Sequence, residues 1–218
     1  MFKPFIQREN EIFEILESFS DLNFILIGGY AVSAYKHRFS VDADIVIKRE
    51  DFEKFKKILN ENGFVETISK ELENIYSTEF KRFEKKKELS VSVDLLIDGM
   101  GIRQTGSAIS FEKLYKNSEI KKIIGIEKEI KVRIPIKEMI IALKLEAGRL
   151  TDFRDIVALS ENFNPEKVKE LMGINKQVKE NLNKILSLLE EKGFIDSFKG
   201  VFMEKKFKPR FDLLRKLI

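Results

Sequence analysis

The chain has 218 residues, 43% of them hydrophobic, and 40 Lys and Arg against 36 Asp and Glu leave a net charge of +4. That length and apolar share fit one large or two small folded domains and exclude a disordered chain. With no cysteine and a single histidine, His37, disulfide frameworks, thiolate zinc sites, cysteine nucleophiles and HExxH chemistry all drop out.

Residues 6–19 read as a helix with Ile6, Ile12, Phe13, Leu16 and Phe19 near one face. Asn23–Ile27 is a short apolar run ending in Gly28-Gly29, which suits a buried strand, and Tyr30–Lys36 follows as a short helix. Val41–Lys48 alternates and is β-branched, the pattern of a strand, with Val41, Ala43, Ile45 and Ile47 toward the core. Residues 51–62 place Phe52, Phe55, Ile58 and Leu59 at helical spacing before Gly63. Strands are predicted over 77–84 and 89–97, a glycine-rich loop over 98–108, and a hairpin around Gly125 over 119–134.

From Pro135 onward no strand pattern remains. Pro135 suits the first position of a helix running to Gly148, and Thr151 suits the cap of a second. Helices follow over 165–173, 176–192 and 207–217, the middle one with Val178, Leu182, Ile185, Leu186 and Leu189 as its stripe. The expected fold is α+β: a mixed sheet flanked by helices in residues 1–134, then a C-terminal helical bundle in 135–218. No apolar run approaches the roughly 18 residues of a membrane span. Met1–Glu9 has no apolar run of the signal-peptide kind, so the expectation is a cytoplasmic protein with no membrane role.

Two phosphate motifs fail on inspection. Gly101–Ser107 has P-loop glycine spacing, but Ser107 stands where lysine is needed, and Gly99-Met-Gly101 has Gln104 at its third glycine position. The segment around Gly28-Gly29 is different. Glycines between a strand and a helix let backbone N–H groups approach an anion, and the helix start adds a positive dipole end. That arrangement suits a triphosphate, with Ser33 beside it.

Asp42 and Asp44 follow on one face of the next strand, and two adjacent carboxylates repel unless a cation lies between them. Asp94, in the alternating run Ser90–Ile97, supplies a third carboxylate. Hard oxygen ligands in this number suit Mg²⁺, and three of them suit two ions in a site for in-line phosphoryl chemistry. Asp94 is then the candidate base for an attacking hydroxyl. The alternative is a pair of solvent-facing aspartates on an edge strand.

Gly28-Gly29, Asp42-Ala-Asp44 and Asp94 together resemble the DNA polymerase β-type nucleotidyltransferase superfamily. The longer pattern from Tyr35 to Asp44 is similar to its AbiEii/MenT-type branch, as is Lys144 followed by Arg149, Asp152 and Asp155. The resemblance implies a nucleotidyltransferase-type sheet and transfer of a nucleoside monophosphate from an NTP. It also implies a toxin–antitoxin role with an antitoxin partner.

Lys144 interrupts the apolar run Met139–Leu145, a costly place for an ammonium unless its stem packs and its head reaches a phosphate. Asp152 and Asp155 share a helix face and stand as nucleotide-binding candidates beside a structural role. Arg38 is a candidate fork for the γ-phosphate, and Ser40 a donor to phosphate or metal-bound water. His37 reads as a partly exposed residue rather than a base.

The charge excess is local. Residues 165–218 hold 13 Lys and Arg against 8 Asp and Glu, with Lys205, Lys206, Lys208 and Arg210 closely spaced. These four are the candidate landing strip for a polyanionic acceptor such as tRNA, against the plain reading of a solvated face. Two other functions stay open: a non-catalytic regulator on the same fold, and a small-molecule (antibiotic) nucleotidyltransferase.

Overall fold

Apolar spacing at the N-terminus produces α1 (Lys3–Glu17), which buries Ile12, Phe13, Ile15 and Leu16. The chain then runs through β1 (Phe24–Ile27), α2 (Gly28–Ser33), β2 (Asp42–Ile47), a 3₁₀ turn (Arg49–Asp51), α3 (Phe52–Glu61) and β3 (Val65–Lys70). After β4 (Phe80–Lys85) and β5 (Val91–Ile97) come the short strands β6 (Gly99–Ile102) and β7 (Ser107–Ser110). Helix α4 (Phe111–Lys116), β8 (Ser118–Ile124) and β9 (Glu129–Pro135) follow. The last part is helical: α5 (Lys137–Ala147), α6 (Leu150–Leu159), α7 (Pro165–Leu171), α8 (Lys176–Leu188), α9 (Lys192–Phe202) and α10 (Phe211–Arg215). The computed structural model describes residues 3–70, 79–173 and 175–217. It divides into two compact units, one of Met1–Gly101 with Ala108–Pro135, the other of Ile102–Ser107 with Ile136–Ile218.

In the first unit, five strands form one sheet in the order β1-β2-β5-β4-β3. Only β2 and β5 run parallel; the other neighbours are antiparallel. Two faces follow from the strand period of two. Ala43, Ile45, Ile47, Val91, Val93, Leu95 and Ile97 lie on one face and are fully buried, with α1 packed against β5. Phe19, Phe24 and Phe55 close this core in edge-on ring contacts of 4.8–6.1 Å. Asp42, Asp44, Ser92 and Asp94 take the other face.

In the second unit, α5 is buried from Met139 to Glu146. A helix apolar almost all round must sit at the centre of its neighbours, and α5 packs on α6, α7 and α8. Gly148 ends it in the left-handed region at φ 63°. A Cβ there would strike the side chain of Asn181, whose amide donates to Leu145 O at 2.7 Å.

Several expected boundaries are corrected. Residues 98–108 are not a loop: the short strands β6 and β7 pair, hidden by their glycines. Asp98 (φ 66°) and Gly99 (φ 155°) turn the chain into them, and a Cβ on Gly99 would meet Ile109 O. Val41 is 62% exposed rather than in the core, because β2 begins only at Asp42. Pro135 ends β9 instead of starting a helix, and Ile136 takes the N-cap position of α5.

Thr151 lies inside α6, whose first turn is capped by the Asp152 carboxylate accepting from the Arg149 N–H at 3.1 Å. The helix expected over 176–192 stops at Leu188, and α9 is a separate helix. The expected Tyr30–Lys36 helix instead spans Gly28–Ser33, and the last helix shortens to Phe211–Arg215. Strand β3 and helix α4 were not anticipated. Of the strand expected over 77–84, residues 77 and 78 lie outside the described residues. Among the described residues after β9 no strand occurs, and no helix is long and apolar enough to cross a membrane.

Candidate active site

The parallel pairing of β2 and β5 sets Asp42 opposite Ser92 and Asp44 opposite Asp94. One carboxylate oxygen from each of Asp42, Asp44 and Asp94 lies within 4.8 Å of the others. Asp94 is 3% exposed, while Asp42 and Asp44 are half-buried and reach solvent. Taking Asp94 out of water pushes its carboxyl above the usual carboxylate range, against the pull of Arg82, and the Asp42 charge adds to the rise.

Strand β1 ends at Ile27, directly opposite Asp44, so the next residue, Gly28, lies against that carboxylate. Gly28 adopts φ 68°, and a Cβ on it would collide with an Asp44 oxygen. A Cβ on Gly29 would collide with Ser40 Oγ, next to the Arg38 guanidinium. The two glycines thus hold the start of α2 against the carboxylates on one side and against Arg38 and Ser40 on the other. The Ser33 hydroxyl is turned away from this surface, directed at the backbone carbonyls of Gly29 (3.2 Å) and Arg38 (2.8 Å). It braces the turn that carries Arg38. His37 is half-buried, with Nε2 2.9 Å from the buried Glu9 carboxylate.

Arg82 is the residue that sequence reasoning missed. Antiparallel pairing sets it opposite Asp94 on β4. Its Nε donates to Asp94 Oδ1 at 2.7 Å and its Nη2 to Asp94 Oδ2 at 2.6 Å, and the same Nη2 reaches Asp42 Oδ2 at 3.0 Å. The hydrogen bonds to Asp94 hold the guanidinium above its ordinary pKa. One rung across three strands therefore reads Asp44, Asp94, Arg82.

The remaining candidates lie in the second unit. Lys144 is buried, its ammonium 2.6 Å from Asp155 and 3.1 Å from Asp152. Asp152 also accepts from Arg149 Nε at 2.7 Å. Burial alone would raise the Asp152 carboxyl; the Arg149 hydrogen bond and the Lys144 charge outweigh it and hold it below its ordinary value. Nearby in the same unit, the buried Glu146 accepts from Ser107 Oγ and from the Gly173 N–H (3.2 Å). Lys205, Lys206, Lys208 and Arg210 are exposed on the irregular segment between α9 and α10. Phe207 pins that segment against Phe194 and Phe198, and Arg210 forks onto Asp212 at 2.8 and 2.9 Å.

Residues 12–199 match the family described as "Nucleotidyl transferase AbiEii toxin, Type IV TA system". The chain belongs to the AbiEii family. This AbiEii-family chain is accordingly an enzyme of the nucleotidyltransferase class, transferring a nucleoside monophosphate. No curated protein matches it.

Among solved structures it is similar to JHP933 from Helicobacter pylori, at 14% identity and TM-score 0.51 over 98% of this chain and 87% of that one. It is also similar to the antibiotic-resistance factor ANT(2'')-Ia, at 14% identity and TM-score 0.52 over 87% and 97%. The lincomycin-bound lincosamide antibiotic adenylyltransferase LnuA matches at 20% identity and TM-score 0.47 over 70% and 96%. At these identities the likeness of the first two is one of fold.

Proposed function

We propose that this AbiEii-family enzyme moves a nucleoside monophosphate from an NTP to a hydroxyl of an RNA acceptor, a tRNA end being the leading case, with two Mg²⁺ ions and release of pyrophosphate. The observation that carries this reading is the convergence of Asp42, Asp44 and Asp94 within 4.8 Å, beside a glycine pair packed against one of them. A hard, all-oxygen donor set with three negative charges fits Mg²⁺. Asp42 and Asp44 would hold both ions and Asp94 one of them. Bound there, the metal neutralises the triphosphate and makes the acceptor hydroxyl more acidic.

The chain's own groups supply the rest. Gly28 and Gly29 present backbone at the start of α2 to the triphosphate, and Arg38 and Ser40 flank it. The acceptor oxygen forms a bond to the α-phosphorus, the bond to the bridging oxygen breaks, and pyrophosphate leaves. The hydroxyl proton passes to Asp94, the most buried carboxylate of the three. The two anionic partners of Lys144 support a structural centre for the Lys144–Asp152–Asp155 cluster. Membership of a type IV toxin–antitoxin family supports an antitoxin partner and a cytoplasmic setting.

Incubation with each α-labelled NTP, Mg²⁺ and total tRNA is expected to place label on RNA, and EDTA to abolish it. Label on protein instead would move the acceptor to a protein hydroxyl. Replacing Lys205, Lys206 and Lys208 with Gln is expected to weaken RNA binding without changing NTP binding. The slope of log affinity against log salt should fall by roughly 0.7 for each phosphate of a single strand that the variant no longer neutralises. An unchanged slope would remove the basic segment from the acceptor site.

A further inference from the structure

We infer that Arg82 is the positioning residue of the carboxylate triad and a built-in counter-cation that sets how tightly the free enzyme holds a divalent metal. The inference rests on the metal reading of Asp42, Asp44 and Asp94 proposed above. Its basis is the sharing of acceptors. Nη2 of Arg82 bonds Oδ2 of both Asp94 (2.6 Å) and Asp42 (3.0 Å), and carboxylate oxygens of these same two residues belong to the cluster that spans 4.8 Å. A divalent ion drawing on those oxygens competes with the guanidinium for their charge. A metal arriving with a triphosphate brings compensating negative charge, so it meets less of that opposition. Arg82 therefore biases the site toward metal–nucleotide over metal alone.

The second duty is orientation. Nε and Nη2 grip Asp94 as a planar fork at 2.7 and 2.6 Å, which fixes the carboxylate plane on the β5 backbone. A lysine at this position keeps the charge and loses the fork, so the two duties separate by substitution.

Manganese binding without nucleotide, measured by calorimetry or by loss of the free-ion spin-resonance signal, reads the first duty. Arg82→Gln is expected to bind Mn²⁺ about tenfold tighter than wild type, because a positive charge beside the ligands is gone. Arg82→Lys is expected to stay close to wild type in Mn²⁺ affinity. Both variants should lose about ten- to a hundredfold in kcat as Asp94 loses its fixed plane. Circular dichroism and melting establish that each is folded. If Arg82→Gln does not fold, Arg82→Lys decides: lower kcat at unchanged Mn²⁺ affinity supports the clamp, and full kcat overturns it. A folded Arg82→Gln that binds Mn²⁺ no tighter than wild type overturns the counter-cation role. Failure of wild type and Arg82→Gln alike to bind Mn²⁺, with NTP present as well as without it, overturns the metal reading beneath it.

Discussion

Asp44→Asn is expected to lower transfer by about a thousandfold or more while leaving the enzyme folded. The substitution keeps the shape of the side chain and removes one of the three charges that converge within 4.8 Å. Charge stabilisation at a phosphoryl centre is worth several kcal/mol, and a thousandfold corresponds to ~4 kcal/mol. Stability should hardly move. Arg82 answers Asp42 and Asp94 directly, and deleting the Asp44 charge lowers the remaining repulsion among the three, so the melting temperature without metal should change little. Gly28 argues for Asn over Ala at this position: it lies against the Asp44 carboxylate, and a smaller residue would leave a gap there. Nucleotide transfer and thermal melting measured on one preparation test both halves. An Asp44→Asn enzyme that retains wild-type turnover would remove Asp44 from the site.

Local pattern carried the acidic face and stopped at register. The alternation of Val41–Ile47 and of Ser90–Ile97 put Asp42 and Asp44 on one face and Asp94 on one face of its own strand. That these faces coincide follows from the parallel pairing of β2 with β5, a pairing between segments some fifty positions apart in the chain. Composition and alternation say nothing about such a pairing.

Arg82 escaped for a narrower reason. Strands spanning 77–84 and 89–97 would pair with residue 79 facing Asp94. The observed strands, Phe80–Lys85 and Val91–Ile97, are joined by residues 86–90 and bring Arg82 opposite Asp94. A three-residue shift in register is enough to hide a residue that bonds two of the three carboxylates. The available signal was a cation at an alternating position in a strand next to an acidic one, and it could be used only with the turn correctly placed.

The helical unit was legible where its helices are amphipathic and illegible where they change partners. Of the stripe Val178, Leu182, Ile185, Leu186 and Leu189, all but Leu186 are buried, and Leu188 is buried beside them. The break after Leu188 was missed because the acidic and basic residues at 190–192 carry no glycine or proline signal until Gly193. Lys144 shows the same limit. Its position in an apolar helix points to a phosphate for its ammonium, because the sequence does not show which carboxylates of the chain lie within reach. The structure supplies two carboxylates, Asp152 and Asp155.

Lys144→Met is the substitution with the largest expected effect on stability. Methionine keeps most of the stem and removes the ammonium, leaving two buried carboxylates, each no more than 2% exposed in its side chain. Breaking one side of a buried ion pair typically costs about 3–5 kcal/mol, which for a chain of this size lowers the melting temperature by on the order of ten degrees. The pH dependence fixes the cause. In wild type the Asp152 carboxyl is held below its ordinary value, so its ionised form stabilises the fold above the usual carboxylate range, and that stabilisation is lost as pH falls through the lowered value. In Lys144→Met the Lys144 charge no longer counters burial while the Arg149 hydrogen bonds remain, so the folded-state carboxyl rises from its wild-type value. The variant is then destabilised at neutral pH, and its deficit against wild type shrinks as pH falls through the range between the two folded-state values. The gap between the two melting curves should narrow as pH falls from neutral into the carboxylate range. Asp155→Asn introduced into Lys144→Met should restore part of the loss at neutral pH, because it removes one of the two buried negative charges that Lys144 met, giving a strongly non-additive cycle. A constant gap across pH, or simple additivity, would mean that Lys144 stabilises the unit by packing alone.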